Sequence, residues 1–203
     1  AVNTKNFNYD CERTPNDYVY AGNLLLNRWK VLRNLGKALL QINQKATLNI
    51  YTPDVPPKHI LKSLSKVSSI RYGGRLTKDE LECRLKKCEY VVHVEAFDKK
   101  NRKITRLSMS TKISEYVACG AKILAIGPSD VASMKCISDN NLGIWIYNPS
   151  VKKIAERLNR EITVEDYERN ATEFIKKCAS ESNGTRIKKY ITDAVTYCRN
   201  ENV

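Results

Sequence analysis

The sequence predicts an α/β fold: a parallel sheet of about six short strands with helices on both faces, followed by C-terminal helices. Two observations predict it. Short apolar runs alternate with stretches of helical period along most of the chain, which is the pattern of repeated βα units. From Thr163 onward the alternation stops and only helical spacing remains.

The elements follow in order. Tyr18–Ala21 is a short apolar run that ends at Gly22. Arg28–Ile42 has helical spacing, with Leu32, Leu35, Leu39 and Ile42 on one stripe. Thr47–Tyr51 reads as a strand and stops at Pro53. Pro57–Lys66 suits a helix with proline in its first turn. Ser69–Tyr72 is a strand closed by Gly73-Gly74. Thr77-Lys-Asp-Glu80 is a capping box that opens a helix to Cys88. Tyr90–Val94 is a strand, and Phe97–Leu107 a charged loop. Ser108–Gly120 holds a short helix with a glycine stop, and Lys122–Ile126 is a buried strand before Gly127-Pro128. Ser129–Ser138 is a short helix, Leu142–Tyr147 a strand, and Pro149–Asn159 a helix. Thr163–Ala179 and Thr185–Cys198 read as helices split at Ser180–Gly184. The expected organisation is a leader or linker over 1–15, a sheet domain over 16–161 and a helical extension over 162–203.

The 203 residues are enough for a sizeable core, and no apolar stretch approaches the length of a membrane span. The seven cysteines form no CxxC pair, and there are two histidines, His59 and His93, so a zinc site is not expected. Free thiols in a reducing, cytoplasmic setting are the expectation. The net charge of +13 asks for an anionic partner: phosphorylated ligand, nucleic acid or the inner face of an anionic membrane. The basic residues are scattered, and no helix-turn-helix, RRM or KH signature is present, which argues against nucleic acid.

In a parallel sheet ligands bind at the carboxyl ends of the strands. Gly22 ends the first strand, where phosphates can approach the backbone, and Arg28 and Lys30 follow it. A plain strand-to-helix turn with exposed basic residues explains the same pattern. Gly74 and Arg75 follow the third strand; a tight turn before a capped helix is the alternative. Glu95 follows the fourth, either facing a ligand or as an exposed loop acid. The richest segment is Ser108–Gly120. At about 100° per residue, Ile113, Tyr116, Val117 and Gly120 share one face, and Ser108, Thr111 and Glu115 project from the other. Ser110, Thr111, Lys112 and Glu115 thus place hydroxyls and a carboxylate at a helix start, suited to a phosphate and a sugar diol. The alternative is capping hydroxyls with a solvated Lys112/Glu115 pair. There is no GxGxxG and no GxxxxGK[ST].

The ordered set Tyr20-Ala-Gly22, Tyr72-Gly-Gly74 with Thr77-Lys-Asp-Glu-Leu81, Ser110-Thr-Lys-Ile-Ser-Glu-Tyr116 with Gly120, and Ile123-Leu-Ala-Ile-Gly-Pro128 resembles the carboxyl-terminal half of GT-B glycosyltransferases. The likeness is to family 4, the "glycosyl transferases group 1" type, over roughly residues 16 to 160. The resemblance implies one of two Rossmann-like domains that face a cleft. This one would bind a nucleotide sugar, and an amino-terminal domain would hold the acceptor. It implies metal-independent, retaining transfer of a hexose to a glycan or lipid-linked acceptor, of the kind found in bacterial surface polysaccharide synthesis. By resemblance Glu115 would bind the donor ribose, and Ser110 and Thr111 would sit at the pyrophosphate. Arg28 or Lys30 would neutralise the leaving diphosphate. Glu95 would take the place of the first acid of the E-x7-E pair, and Gly74 and Arg75 would border the base. Here the two acids, Glu95 and Glu115, are twenty residues apart, with Lys99–Arg106 inserted between them. A non-catalytic nucleotide-binding module is the competing reading.

Overall fold

The computed structural model describes residues 12–159 and 164–178. Its elements are β1 (Thr14–Ala21), α1 (Arg28–Ile42), β2 (Thr47–Tyr51), α2 (Lys58–Leu64), β3 (Ile70–Gly74), α3 (Lys78–Lys87), β4 (Cys88–Val94), α4 (Lys99–Thr105), α5 (Lys112–Ala118), β5 (Lys122–Ile126), α6 (Ala132–Asp139), β6 (Gly143–Ile146), α7 (Val151–Leu158) and α8 (Val164–Cys178). The helix expected at Thr185–Cys198, the break at 180–184 and positions 1–11 of the leader lie outside the described residues.

The six strands are all parallel, in the order β3-β2-β1-β4-β5-β6. The chain winds outward from β1 to β3, returns to lay β4 beside β1, and winds the other way to β6. Right-handed crossovers in opposite directions put helices on opposite faces. One core packs α1, α2 and α7 against the sheet through Leu32, Leu35, Ile60, Leu64 and Ile154. The other packs α3, α5, α6 and α8 through Leu85, Ile113, Val117, Met134 and Phe174. Lys122–Ile126 is buried after its first residue, the run expected of a strand covered on both faces, whereas Thr47–Tyr51 alternates, with Leu48 and Ile50 buried and Thr47, Asn49 and Tyr51 half-buried.

The capping box at Thr77 is present. Thr77 Oγ1 accepts from the Glu80 N–H at 3.3 Å, and Glu80 Oε2 accepts from the Thr77 N–H at 2.7 Å. It aims α3 so that Arg84 reaches β1. Arg84 and Asp17 form a two-pronged ion pair, with Nη2 donating to Oδ1 at 2.7 Å, and Arg84 Nε donates to the Tyr51 hydroxyl at 3.2 Å.

Three expectations are corrected. β1 begins at Thr14, inside the segment expected as leader. Its polar start pairs with distant groups: Asp17 with Arg84 and Asn49, and the Asn16 N–H with Glu89. Phe97–Leu107 is not simply a loop: Lys99–Thr105 is a helix, capped by Asp98 through the Asn101 N–H at 3.1 Å. Only Thr105 of that helix is buried, so no apolar period marks it. Gly73 and Gly74 lie within β3 at an irregularity in its pairing with β2, and a side chain on Gly73 would collide with the Tyr51 ring.

Gly143 sets the spacing of β5 and β6. Its φ is 146°, and a Cβ there would stand 2.0 Å from the Ile123 carbonyl oxygen, a backbone atom that cannot yield. Gly143→Ala is therefore expected to cost about 2 kcal/mol or more in urea unfolding. Unchanged stability would contradict this register.

Candidate functional site

β1 and β4 are neighbours, yet the connections that follow them leave in opposite directions. The crevice at their shared carboxyl end is therefore roofed by neither crossover. Gly22 follows β1, and Glu95 follows β4. Alternation along β4 puts Val91, His93 and Glu95 on one face. Glu95 is almost fully buried, and its Oε2 accepts from Arg28 Nη2 at 2.9 Å. Arg28 is the first residue of α1, and its Nη1 donates to Asn23 Oδ1 at 3.1 Å. The turn that delivers it contains Leu26 and Asn27 in succession at φ 56° and 61°. Leu26 pays roughly 1–2 kcal/mol for that conformation. Asn27 Nδ2 also donates to Asp98 Oδ2 at 3.1 Å, tying this turn to the start of α4.

His93 lies beneath Glu95. Its Nε2 is 3.1 Å from the Oγ of Ser133, a wholly buried residue of α6, and 3.8 Å from Glu95 Oε1. Burial, reinforced by the Arg28 and Lys112 cations, pushes the His93 pKa down to about 4, so the ring is neutral at pH 7.

α5 is fastened to the end of β1. Lys112 Nζ and the Tyr116 hydroxyl both donate to the Ala21 carbonyl, at 2.9 and 3.3 Å. The two side chains are one helical turn apart, so a single carbonyl can take both. A Cβ on Gly22 would stand 3.0 Å from the Tyr20 hydroxyl and 3.4 Å from Lys112 Nζ; glycine keeps that space open. Burial lowers the Lys112 pKa, Glu115 opposes this and Arg28 adds to it.

The structure thus brings Gly22, Arg28, Glu95 and Lys112 together. Lys30 is exposed and lies over the Trp29 ring, 5.6 Å from its centroid, away from this cluster. Ser110 is half-buried, Thr111 and Glu115 are exposed, and Ile113, Tyr116 and Val117 are buried, so the two faces of the helix divide as the spacing predicts. Thr111 makes no side-chain cap bond, and Lys112 turns inward instead of forming a solvated pair with Glu115. Glu95 is not an exposed loop acid. Gly74, at φ 72° with open space around it, and exposed Arg75 lie at the same edge of the sheet but two strands from β1. The ladder reaches them through Gly22 N–H to Tyr51 O, 3.0 Å, and Thr52 N–H to Gly74 O, 2.9 Å.

Sequence reasoning missed the roles of His93, Ser133 and the Tyr116 hydroxyl. The alternation Val91-His93-Glu95 was the available signal for the first; nothing local marks Ser133. Among the described residues no group of three His, Cys, Asp or Glu is placed to hold a metal ion, and no helix is long and apolar enough to cross a membrane. The exposed large apolar side chains among them, Leu25, Val55, Tyr72, Ile104, Leu107, Met109 and Tyr147, all lie on this carboxyl edge or on the segments leading from it.

Residues 19–194 match the family model described as "Glucosyltransferase 3-like, C-terminal domain". No curated protein sequence matches the chain. Among solved structures, a mutant of TarM from S. aureus, in complex with fondaparinux, α-GlcNAc-glycerol and UDP, superposes with a TM-score of 0.69 at 14% identity over 94% of this chain and 37% of that one. The GtfA/B complex gives 0.66 at 14% identity, over 90% of this chain and 36% of that one. HepE from Anabaena, in complex with UDP and glucose, gives 0.59 at 16% identity, over 89% and 48%. The shared fold is that of GT-B glycosyltransferases, and the chain spans between 36% and 48% of these relatives' lengths.

Removing Arg28 leaves a buried carboxylate without its cation. Arg28→Ala is expected to cost about 3 kcal/mol, and adding Glu95→Gln should recover part of that loss in a double-mutant cycle. Additive losses would show that the pair is not coupled. The His93 shift has a definite sign. The unfolded ring, near its ordinary pKa of about 6.5, binds a proton that the folded ring refuses. The stability held above about pH 6.5 is therefore lost as pH falls towards about 4. Urea midpoints against pH, with His93→Gln flattening this limb, test it.

Proposed function

The chain belongs to the glucosyltransferase 3-like C-terminal domain family, and from that premise we propose that it is the donor-binding half of a retaining, metal-independent glycosyltransferase. The reading carries to transfer of a hexose from a nucleotide sugar to a glycan or lipid-linked acceptor in bacterial surface polysaccharide synthesis. The observation that carries it is the convergence of Gly22, Arg28, Glu95 and Lys112 where the strand order reverses.

In such a transfer the bond from the anomeric carbon to the diphosphate breaks, and negative charge grows on the departing phosphate oxygen. Cations held in place beforehand stabilise that charge without reorganising. Arg28 is held by Glu95 and Asn23, and Lys112 by the Ala21 carbonyl. We assign the second cation to Lys112 rather than Lys30, because Lys30 points along Trp29 on the outside of α1. Gly22 lets a phosphate approach the main chain. Ser110 and Thr111 offer hydroxyls at the start of α5, Glu115 a carboxylate for the ribose diol, and Gly74 and Arg75 a border for the base. Glu95 stands beside the donor sugar.

An amino-terminal acceptor domain would face this edge. The exposed apolar side chains gathered there, and the fraction of the relatives that the chain spans, support that half-cleft. The exposed Lys99, Lys100, Lys103 and Arg106 on and beside α4 suit peripheral contact with an anionic membrane face.

The test is a thermal-shift and calorimetric screen of the 203-residue chain against UDP, GDP, dTDP, CMP and their sugar derivatives. One nucleotide is expected to raise the melting temperature in proportion to the logarithm of its concentration over Kd. Lys112→Ala and Glu115→Ala should each weaken binding by about tenfold, equivalent to roughly 1.4 kcal/mol. Little or no sugar transfer is expected from the chain alone. Absence of nucleotide binding, or variants that bind as well as the parent, would overturn the assignment.

A further inference from the structure

We propose that the buried His93–Glu95 pair takes up one proton when a sugar nucleotide binds, making His93 the positioning residue for the Glu95 carboxylate; this rests on the donor-site reading above. Among the described residues Glu95 has one cationic partner, Arg28, on Oε2 at 2.9 Å. Its other oxygen faces His93 Nε2 at 3.8 Å, just beyond hydrogen-bond reach. Nε2 is meanwhile 3.1 Å from Ser133 Oγ, a neutral group. The side chains of Glu95 and His93 are 5% and 9% exposed, so water does little for either.

The charged and titratable groups that face the imidazole are Glu95, one strand pitch along β4, Arg28 from α1 and Lys112 from α5; α6 contributes neutral Ser133. Burial first, and then two cations set against one carboxylate, keep the proton off the ring. Those same two cations are the ones a diphosphate would engage. Its negative charge cancels their repulsion of an imidazolium, and it competes with Glu95 for the Arg28 guanidinium. Glu95 then lacks counter-charge, and a proton from solvent on His93 supplies it. An N–H bond forms on the ring and no other bond changes. Closing the 3.8 Å gap by under about 1 Å lets protonated Nε2 donate to Oε1 and hold the carboxylate while Arg28 is occupied. A histidine that only anchors Ser133 would show none of this.

The experiment is calorimetric titration of the full chain with UDP-glucose in buffers of differing ionisation enthalpy at about pH 6. The ligand's diphosphate is doubly esterified and does not itself titrate there. Uptake of up to one proton is expected, with Kd falling by up to about tenfold between about pH 7.5 and 5.5 as the bound-state pKa returns toward its ordinary value. His93→Gln should abolish the uptake and flatten the profile, whereas Ser133→Ala should retain it. A readout without any variant comes from the imidazole NMR signals. The chain has two histidines, and exposed His59, edge-on to Trp29, serves as the reference. His93 should stay neutral to below pH 5.5 in the free protein and titrate at higher pH with ligand bound. Binding without proton uptake and without an NMR shift overturns this inference and leaves the donor site standing. Failure of every sugar nucleotide to bind removes both.

Discussion

Two adjacent parallel strands whose crossovers leave in opposite directions share a carboxyl end that neither connection can roof. In this chain β1 and β4 are that pair, and the polar groups above them must satisfy one another. Arg28 pairs with Glu95, Lys112 and Tyr116 converge on the Ala21 carbonyl, and His93 finds Ser133. Between them they draw on five elements: α1, α5, α6 and the ends of β1 and β4. The crevice is thus where the two halves of the winding are joined chemically as well as by the sheet ladder. Disturbing one group leaves another buried charge or donor unsatisfied, which costs more than the intact pair contributes.

Among the described residues two ion pairs with a buried carboxylate sit on this sheet, and they differ in how completely they are satisfied. Asp17 uses both oxygens, taking two donors from Arg84 and one from Asn49. That pair engages both carboxylate oxygens and ties α3 to β1. Glu95 has one oxygen engaged and the other facing a neutral ring across a gap. Its partner Arg28 is the more exposed member, at 18%. The closed pair is a clamp, and the open one leaves a carboxylate oxygen beyond hydrogen-bond reach of the ring.

What could be read from the sequence follows from what each residue buries. β5 is apolar after Lys122 because both of its faces are covered, and β2 alternates Leu48 and Ile50 with Thr47, Asn49 and Tyr51, so both were legible to the residue. α1 carries a continuous stripe from Val31 to Leu39, and α3 advertises its start with Thr77 and Glu80. α4 was not legible, because capping and the Arg102–Asp130 pair hold it rather than an apolar face. The polar start of β1 was hidden because its partners, Arg84 and Glu89, lie some 70 residues away. At the site, Gly22 and Glu95 were found by their place after strands. The choice between Arg28 and Lys30 depended on the phase of α1, which the Leu26–Asn27 turn sets and no periodicity reveals. His93 was masked by the apolar strand around it, and Lys112, singled out with its helix start, could not be seen to turn inward to the Ala21 carbonyl.

The place of β1 in the sheet also bears on how the chain assembles. β1 is the first strand of this sheet in chain order, yet it is central, and its partner at Val91 comes about 70 residues after Val19. At a translation rate of about 5–20 residues per second, β1 has an open hydrogen-bonding edge for several seconds while β2 and β3 are made. A strand in that condition is a template for pairing with another nascent chain. Thr14-Pro-Asn-Asp17, which opens β1, carries a missing N–H at Pro15 and an ionisable side chain at Asp17. Those residues interrupt the apolar run while the edge is open, and Asp17 is neutralised by Arg84 once α3 arrives, immediately ahead of β4. The same tetrapeptide that concealed the start of the strand thus has the composition of a gatekeeper flanking an apolar run.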